Sequence, residues 1–216
     1  MDSAREDGSA AGAQRPPEPG LSAPRRRRVG ILLVVAAVVY AIDALTKYLV
    51  VAHLTPGKPV HLLGSVVQLD YTRNSGAAFS IGWGYTAVFS LIAIGVILVI
   101  LRLARQLYSA PWALALGLLL GGAAGNLTDR IARAPGVFRG WVVDFIQVRD
   151  FAILNLADAA ITCGGVLMVL LALRGLHPDG TDERAAQAAA PESAGQQPAE
   201  ADERPQEQAG SASEHR

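Results

Sequence analysis

Apolar residues along this chain fall in continuous blocks rather than at the 3.6- or 2-residue period of a soluble core. Runs such as Ile31 to Tyr40 and Ala87 to Leu101 are apolar all the way round, a pattern that asks for lipid as solvent. Four blocks read as transmembrane helices: Val29 to Val51, Tyr85 to Leu107, Trp112 to Ile131 and Phe151 to Leu173. Each approximates the roughly 20 residues needed to cross about 30 Å of hydrocarbon. The first follows Arg25 to Arg28 and so also fits a secretory signal peptide. Its apolar run continues past Asp43 and Lys47 to Val51 with no small-residue cleavage pattern, and three more spans follow. A retained helix is the better reading.

Between the spans, Ser65-Val-Val-Gln-Leu-Asp-Tyr-Thr72 is β-branched and aromatic with partial alternation and lies between Gly64 and Asn74-Ser-Gly76, which predicts a strand in a small sheet. Gly117, Gly121 and Gly125 recur every four residues in the third span, a bare stripe that lets another helix approach closely. The expected fold is an all-α polytopic membrane protein, four transmembrane helices with a small extracytoplasmic β cradle. Residues 1–28 and 175–216 are Ala-, Pro-, Gln- and charge-rich, too poor in large apolar side chains to fold alone, and are expected as disordered tails flanking a membrane domain over 29–174.

Charge adds orientation. The formal net is zero, but the tails hold most of it and the blocks little. Arg25 to Arg28 precede the first span, Arg102 and Arg105 close the second, and Arg174 closes the fourth. The positive-inside rule then places both termini in the cytoplasm of a multi-pass protein of the cell membrane, with residues 52–84 and 132–150 outside. Trp83 and Tyr85 at one end of the second span, and Tyr108 and Trp112 at its other boundary, suit interfacial aromatic belts. Nothing implies a nucleic-acid surface. Cys163 stands alone within an apolar block, and none of His53, His61, His177 and His215 lies within one. Disulfide, cysteine–histidine and zinc chemistry are therefore not expected, nor any metal or cofactor.

Each charged residue near the bilayer centre costs roughly 2.5 to 3.5 kcal/mol on insertion scales and so needs a reason. Asp43 lies roughly 20 Å from the cytoplasmic end of the first span at 1.5 Å per residue. Asn126, Asp129 and Arg130 lie at the far end of the third, which also starts inside; Asn155 and Asp158 lie near the beginning of the fourth, which starts outside, with Asp144 just before it. Three helices running in two directions thus bring polar residues to one depth, toward the outer surface. The i, i+3, i+4 spacing of Asn126, Asp129 and Arg130, and the i, i+3 spacing of Asn155 and Asp158, give each set one helix face.

Bland readings stand beside this one. Asp43 and Lys47 at i, i+4 can be a self-satisfied pair, Asp129 and Arg130 can be packing or topology determinants, and Asn126 an interhelical hydrogen bond. Arg130 also suits holding a carboxylate or a carbonyl by its fork of donors. Asp144 can be a loop residue, whereas Asp158, among Leu156, Ala157, Ala159 and Ala160 with no neighbouring cation, is harder to dismiss. Two carboxylates close together in a partly dry site share a proton and so supply an acid and a base, enough to hydrolyse a peptide bond. Spacing alone does not separate this from a proton-coupled transporter subunit, or from a scaffold in which the cluster only packs helices.

Five segments carry a resemblance: Asp43-Ala-Leu-Thr-Lys47, Asn74-Ser-Gly-Ala-Ala-Phe79, Gly121-Gly-Ala-Ala-Gly-Asn-Leu-Thr-Asp-Arg130, Val142-Val-Asp-Phe145 and Asn155-Leu-Ala-Asp158. Together, in this order and within about residues 29–174, they resemble the motif set of the lipoprotein signal peptidases (signal peptidase II). The resemblance implies an aspartic endopeptidase, with Asp144 and Asp158 as its dyad, that removes the signal peptide before a diacylglyceryl-modified cysteine in prolipoproteins. It marks Asp43, Lys47, Asn74, Asn126, Asp129, Arg130 and Asn155 as substrate-binding or supporting residues. It implies membrane lipid and lipidated prolipoproteins as partners, a monomer, and sensitivity to the cyclic peptide globomycin. Leu154 stands where many relatives carry Phe, and the link from Arg130 to Asp144, with Ala134-Pro-Gly136, is longer than in many.

Overall fold

The computed structural model describes residues 26–64, 66–76, 86–149 and 153–189. Trp83, Tyr85, Phe151 and the 77–79 part of the second motif lie outside the described residues, as do 1–25 and 190–216. Four helices are long and apolar enough to cross a membrane: α1 (Val29–His53), α2 (Thr86–Leu103, prolonged by a 3-10 turn, Ala104–Gln106), α3 (Ala110–Ala132) and α4 (Leu156–Leu173). Large apolar side chains cover their outer faces: Leu33, Leu45, Leu91, Leu98 and Leu173 are all exposed, as lipid-facing positions should be.

Helix α3 is the centre, packed against α1, α2 and α4. It is built for that place by its glycines. A Cβ on Gly117 would meet Val35 and the Leu32 carbonyl, and one on Gly121 would lie 2.7 Å from the Ala36 carbonyl oxygen and Val39 Cβ. On another face, Gly122 sits under the Ala157 carbonyl of α4, and Gly164 of α4 returns the contact at Ala115. The expected stripe is thus real, and α3 approaches two helices backbone to backbone.

The segments between the helices form one antiparallel sheet in the order β1 (Val60–Leu63), β2 (Val67–Asn74), β3 (Val142–Val148), β4 (Ile153–Leu154). The expected strand at 65–72 is β2, shifted two residues toward Asn74. Register pairs Val67 with Val148 and Asn74 with Val142, with an irregularity between Leu69 and Thr72 that precedes the Thr72–Asp144 pair. Tyr71, Val143 and Phe145 bury against Val50 near the end of α1, which seats the sheet on that end of the bundle.

Two expectations need correction. Asp144 is not in a loop but in β3, where Val142 to Phe145 are all buried. A strand covered on both faces shows no alternation, which hid it in the sequence. The fourth helix begins at Leu156, not Phe151, because Asn155 caps it: the Asn155 side chain accepts from the Asp158 N–H, and the Asp158 carboxylate accepts from the Asn155 N–H. Their three-residue spacing is therefore a reciprocal capping box rather than a shared helix face. Of residues 175–216, expected as a tail, 175–189 are described. They carry a bridge between Leu176 and Asp182 and a short helix, α5 (Glu183–Ala189).

The close approach at Gly121 is testable against a glycine on the lipid side. Gly121→Ala should lower the thermal midpoint in detergent, at a cost of about 1–3 kcal/mol for the overpacked contact. Gly165→Ala, whose Cβ would meet nothing within 4 Å, should hold or raise it. Equal midpoints for the two variants would show that α1 and α3 do not pack through this stripe.

Candidate functional site

The polar residues of α1, α3, β2, β3 and α4 meet at the end of the bundle that carries the sheet. Lys47 of α1, only 1 % exposed, lies deepest. Its Nζ is 2.7 Å from Asp43 Oδ2 one turn earlier, 3.0 Å from Asp129 Oδ2 across on α3, and it donates to Asn126 Oδ1 at 2.9 Å. The Asp43–Lys47 pair thus exists but is not self-contained. Asp43 Oδ2 receives no directed hydrogen bond and is held by the Lys47 charge, while Asp43 Oδ1 accepts from the Ala157 N–H at 3.0 Å, fixing the first turn of α4. Gly125 leaves room for that carboxylate, since a Cβ there would fall on Asp43 Oδ2.

Asp129 is shared in turn. Its Oδ1 pairs with Arg133 Nε at 2.5 Å and its Oδ2 accepts from the Val143 N–H at 3.3 Å, tying the end of α3 to β3. Arg133 was not among the residues singled out in the sequence; its position four residues after Asp129 was the available signal. The chain between α3 and β3 folds back on α3 through the Gly140 N–H, which donates to the Arg130 carbonyl at 2.9 Å. The Ser90 hydroxyl of α2 donates to the Phe138 carbonyl at 2.9 Å, which holds this longer link against the bundle.

Three asparagines join the two remaining carboxylates. Asn74 Nδ2 donates to Asp144 Oδ2 at 2.8 Å, and Asn155 Nδ2 donates to Asp144 Oδ1 at 2.6 Å. Asn155 Nδ2 also reaches Asn126 Oδ1 at 3.2 Å, and Asn126 Nδ2 donates to Asp158 Oδ1 at 2.8 Å. Asp158 Oδ2 takes the Asn155 N–H at 3.1 Å. A single fully buried residue, Asn155, therefore touches both Asp144 and Asp158. All nine residues named from the sequence belong to this region. Eight form one chain of contacts, and Arg130 stands beside it.

Arg130 departs from expectation. Its Nη1 is buried with no hydrogen-bond partner, and its guanidinium lies 5.6 Å from the Phe89 ring centroid instead of forking onto a carboxylate. Asp144, Asp158 and Asp129 are the acids near enough to act on its charge. Burial pushes the Asp144 carboxyl up to about 6, helped by the nearby Asp158 charge and opposed by the donors from Asn74 and Asn155. Asp144 is 2 % exposed, whereas Asp158 is half-buried. A carboxyl that titrates near neutrality, next to a second one and an idle guanidinium donor, is equipped for proton transfer to and from a bound group.

Comparison with known proteins places this arrangement. Residues 35–174 match the family described as Signal peptidase (SPase) II. A lipoprotein signal peptidase of Streptomyces griseus is 54% identical over 176 residues, 81% of this chain and 90% of its own length. One from Streptomyces coelicolor is 57% identical over 156 residues, 72% of this chain and 76% of the relative. One from Rhodococcus jostii is 50% identical over 177 residues, 82% and 87% of the two chains. Two solved structures, each described as a bacterial membrane enzyme obtained by the in meso method, are 28% identical with TM-scores of 0.61 and 0.62. They cover 69% of this chain and 91% and 97% of theirs. Matched over residues 35–174 and about half identical to relatives of nearly its own length, the chain belongs to the signal peptidase II family and is a multi-pass membrane peptidase.

Proposed function

We propose that this peptidase cleaves prolipoproteins just before their diacylglyceryl-modified cysteine, with Asp144 and Asp158 as the catalytic dyad. The observation that carries the assignment is Asn155, which bonds to both carboxylates at once and so fixes their relation. Asp144, buried and shifted upward, holds the shared proton and donates it to the scissile carbonyl. Asp158 takes a proton from the attacking water, which adds to the carbonyl carbon to give a tetrahedral intermediate. That proton then passes to the leaving nitrogen as the C–N bond breaks, and Asp144 takes back a proton from the collapsing diol, with no covalent adduct to the enzyme. Arg130 Nη1, buried without a partner, is the donor available to the substrate carbonyl as negative charge develops on it.

Asn74, Asn126 and Asn155 position the dyad by giving each carboxylate oxygen a directed donor. Lys47, Asp43 and Asp129 hold the helices that carry them. The location suits a lipidated substrate. Asp158 lies in the first turn of α4 and Asp129 in the last turns of α3, so the pocket stands at a helix end where hydrocarbon gives way to headgroups. Acyl chains on the cysteine would remain in the bilayer while the peptide bond reaches the acids. We place this end on the outer face and both termini in the cytoplasm, following Arg26, Arg27, Arg28, Arg102, Arg105 and Arg174 at the opposite end. The enzyme acts as a monomer in this reading, and globomycin is expected to occupy the same pocket. A proton path through the membrane finds no support: apart from Ser90 and Thr86 near the site, the only polar residue in α2 is Arg102, at its far end.

Asp144→Asn and Asp158→Asn should each lower turnover of a purified, lipidated precursor by roughly 10²- to 10⁴-fold while the protein still inserts and purifies. A gel-shift assay of precursor against product reads this directly. Near-normal cleavage by either variant would remove that residue from the dyad.

The Asp144 shift also predicts a pH signature in stability. Its carboxyl keeps its proton in the fold up to about pH 6 but releases it near its ordinary value of 3.8 when unfolded. The stability it contributes is therefore full below that lower value and is lost as pH rises through about 6. The stability of the native protein relative to Asp144→Asn should fall by about 2 kcal/mol between about pH 4.5 and 7.5. Chemical unfolding of both proteins in detergent measures this; a difference independent of pH would contradict the buried, proton-holding role.

A further inference from the structure

At the end of the bundle opposite the carboxylates, a cavity of about 550 Å³ opens between the end of α2 and the turn after α4. Its composition is graded. Val99 and Leu103, exposed on the lipid side of α2, line one part, and Arg102 and Arg105 line the next. The far wall is the turn His177-Pro178-Asp179.

That wall is fixed. The Pro178 carbonyl accepts from the Tyr108 and Ser109 N–H groups at 2.9 and 3.0 Å, and the Leu176 carbonyl accepts from Trp112 Nε1 at 2.9 Å. Arg184 Nη2 donates to the Leu173 carbonyl at 3.0 Å, and the Glu183 N–H to the Gly175 carbonyl at 3.0 Å. The acids nearby are already engaged: Glu183 faces His177 Nε2 at 2.8 Å, and Asp179 Oδ1 accepts from the Thr181 N–H and hydroxyl at 3.0 and 2.7 Å. Arg102 and Arg105 form no ion pair among the described residues.

Two guanidiniums with no ion pair among the described residues, beside an apolar wall and within a cavity, match one kind of ligand. We infer that this cavity binds an anionic phospholipid of the bilayer, its phosphate on Arg102 and Arg105 and the start of an acyl chain along Leu103 and Val99. Guanidinium forks bind phosphate oxygens in pairs, and basic recesses at the ends of membrane helices select anionic headgroups. The alternative is that these arginines serve only the general attraction of a basic helix end to an anionic leaflet. Arg26 and Arg27 supply a control, since they are exposed at the same end and do not line the cavity.

The test is native mass spectrometry of the full-length protein in detergent, titrated with phosphatidylglycerol or with phosphatidylcholine of the same acyl chains. One phosphatidylglycerol should be retained in preference to phosphatidylcholine. Arg102→Gln with Arg105→Gln should weaken that retention roughly ten- to thirtyfold, and Arg26→Gln with Arg27→Gln should leave it within about twofold. Arg102→Lys with Arg105→Lys, which keeps the charge and the fold, should recover only part of it. Equal losses in the two glutamine pairs, equal retention of the two lipids, or full displacement by millimolar inorganic phosphate would overturn the proposal.

Discussion

The site depends on one buried cation. Lys47 bridges α1 and α3, and its ammonium meets Asp43, Asp129 and Asn126 together. A lone ammonium or carboxylate at this depth is expensive, and here each cancels the cost of the others. The arrangement also transmits position. Asp43 holds the Ala157 N–H of α4, Asp129 holds the Val143 N–H of β3, and Asn126 holds Asp158. The two carboxylates of the proposed dyad sit on those elements: Asp144 follows Val143 directly and Asp158 follows Ala157 directly. Removing the Lys47 charge would leave the Asp43 carboxylate without its cation and Asp129 with Arg133 alone, and the strand and helix they secure would lose their common reference.

The glycines of α3 are the packing side of the same constraint. Lys47 reaches Asp129 because α1 lies against Gly117, Gly121 and Gly125, which put no side chains of α3 in its way, and the Asp43 carboxylate occupies the space a Gly125 side chain would fill. The capping box closes the arrangement from the other direction. Asn155 and Asp158 satisfy the first N–H groups of α4, yet the same two side chains face Asp144 and Asn126. A helix terminus that satisfies itself in this way needs no water at its start, which helps keep a polar pocket defined at the edge of the bilayer.

Most of the architecture was legible because lipid imposes a coarse rule on sequence. A helix that faces hydrocarbon is apolar on every side, so α1 and α3 are recognisable by length alone, and depth bookkeeping from their directions brought Asp43, Asn126, Asp129 and Asp158 to one level. The pairings were not legible. Local spacing showed Asp43 with Lys47, but the partners of Lys47 on α3 lie about 80 positions away, and no periodicity reports that distance. Strand β3 escaped because burial on both faces erased its alternation, and the start of α4 was misjudged because the residues before it are apolar enough to pass for helix. Asn155-Leu-Ala-Asp158 did contain its own correction, since an Asn three residues before an acid is a helix-start signature as much as a helix face.

The idle Nη1 of Arg130 follows from the same economy. Among the described residues the other charges of the pocket are matched within it, Lys47 by Asp43 and Asp129, Arg133 by Asp129, and Asp144 and Asp158 by asparagine donors. Asp129 already pairs with Lys47 and Arg133, and the Arg130 guanidinium lies over the Phe89 ring. A guanidinium donor left unsatisfied in a low-dielectric pocket costs free energy in the empty enzyme. In the proposed mechanism a substrate carbonyl would recover that cost, and most when its oxygen carries charge. In the mechanism proposed above, that unmet donor would favour the tetrahedral intermediate over the resting state, which is the difference a hydrolase must create.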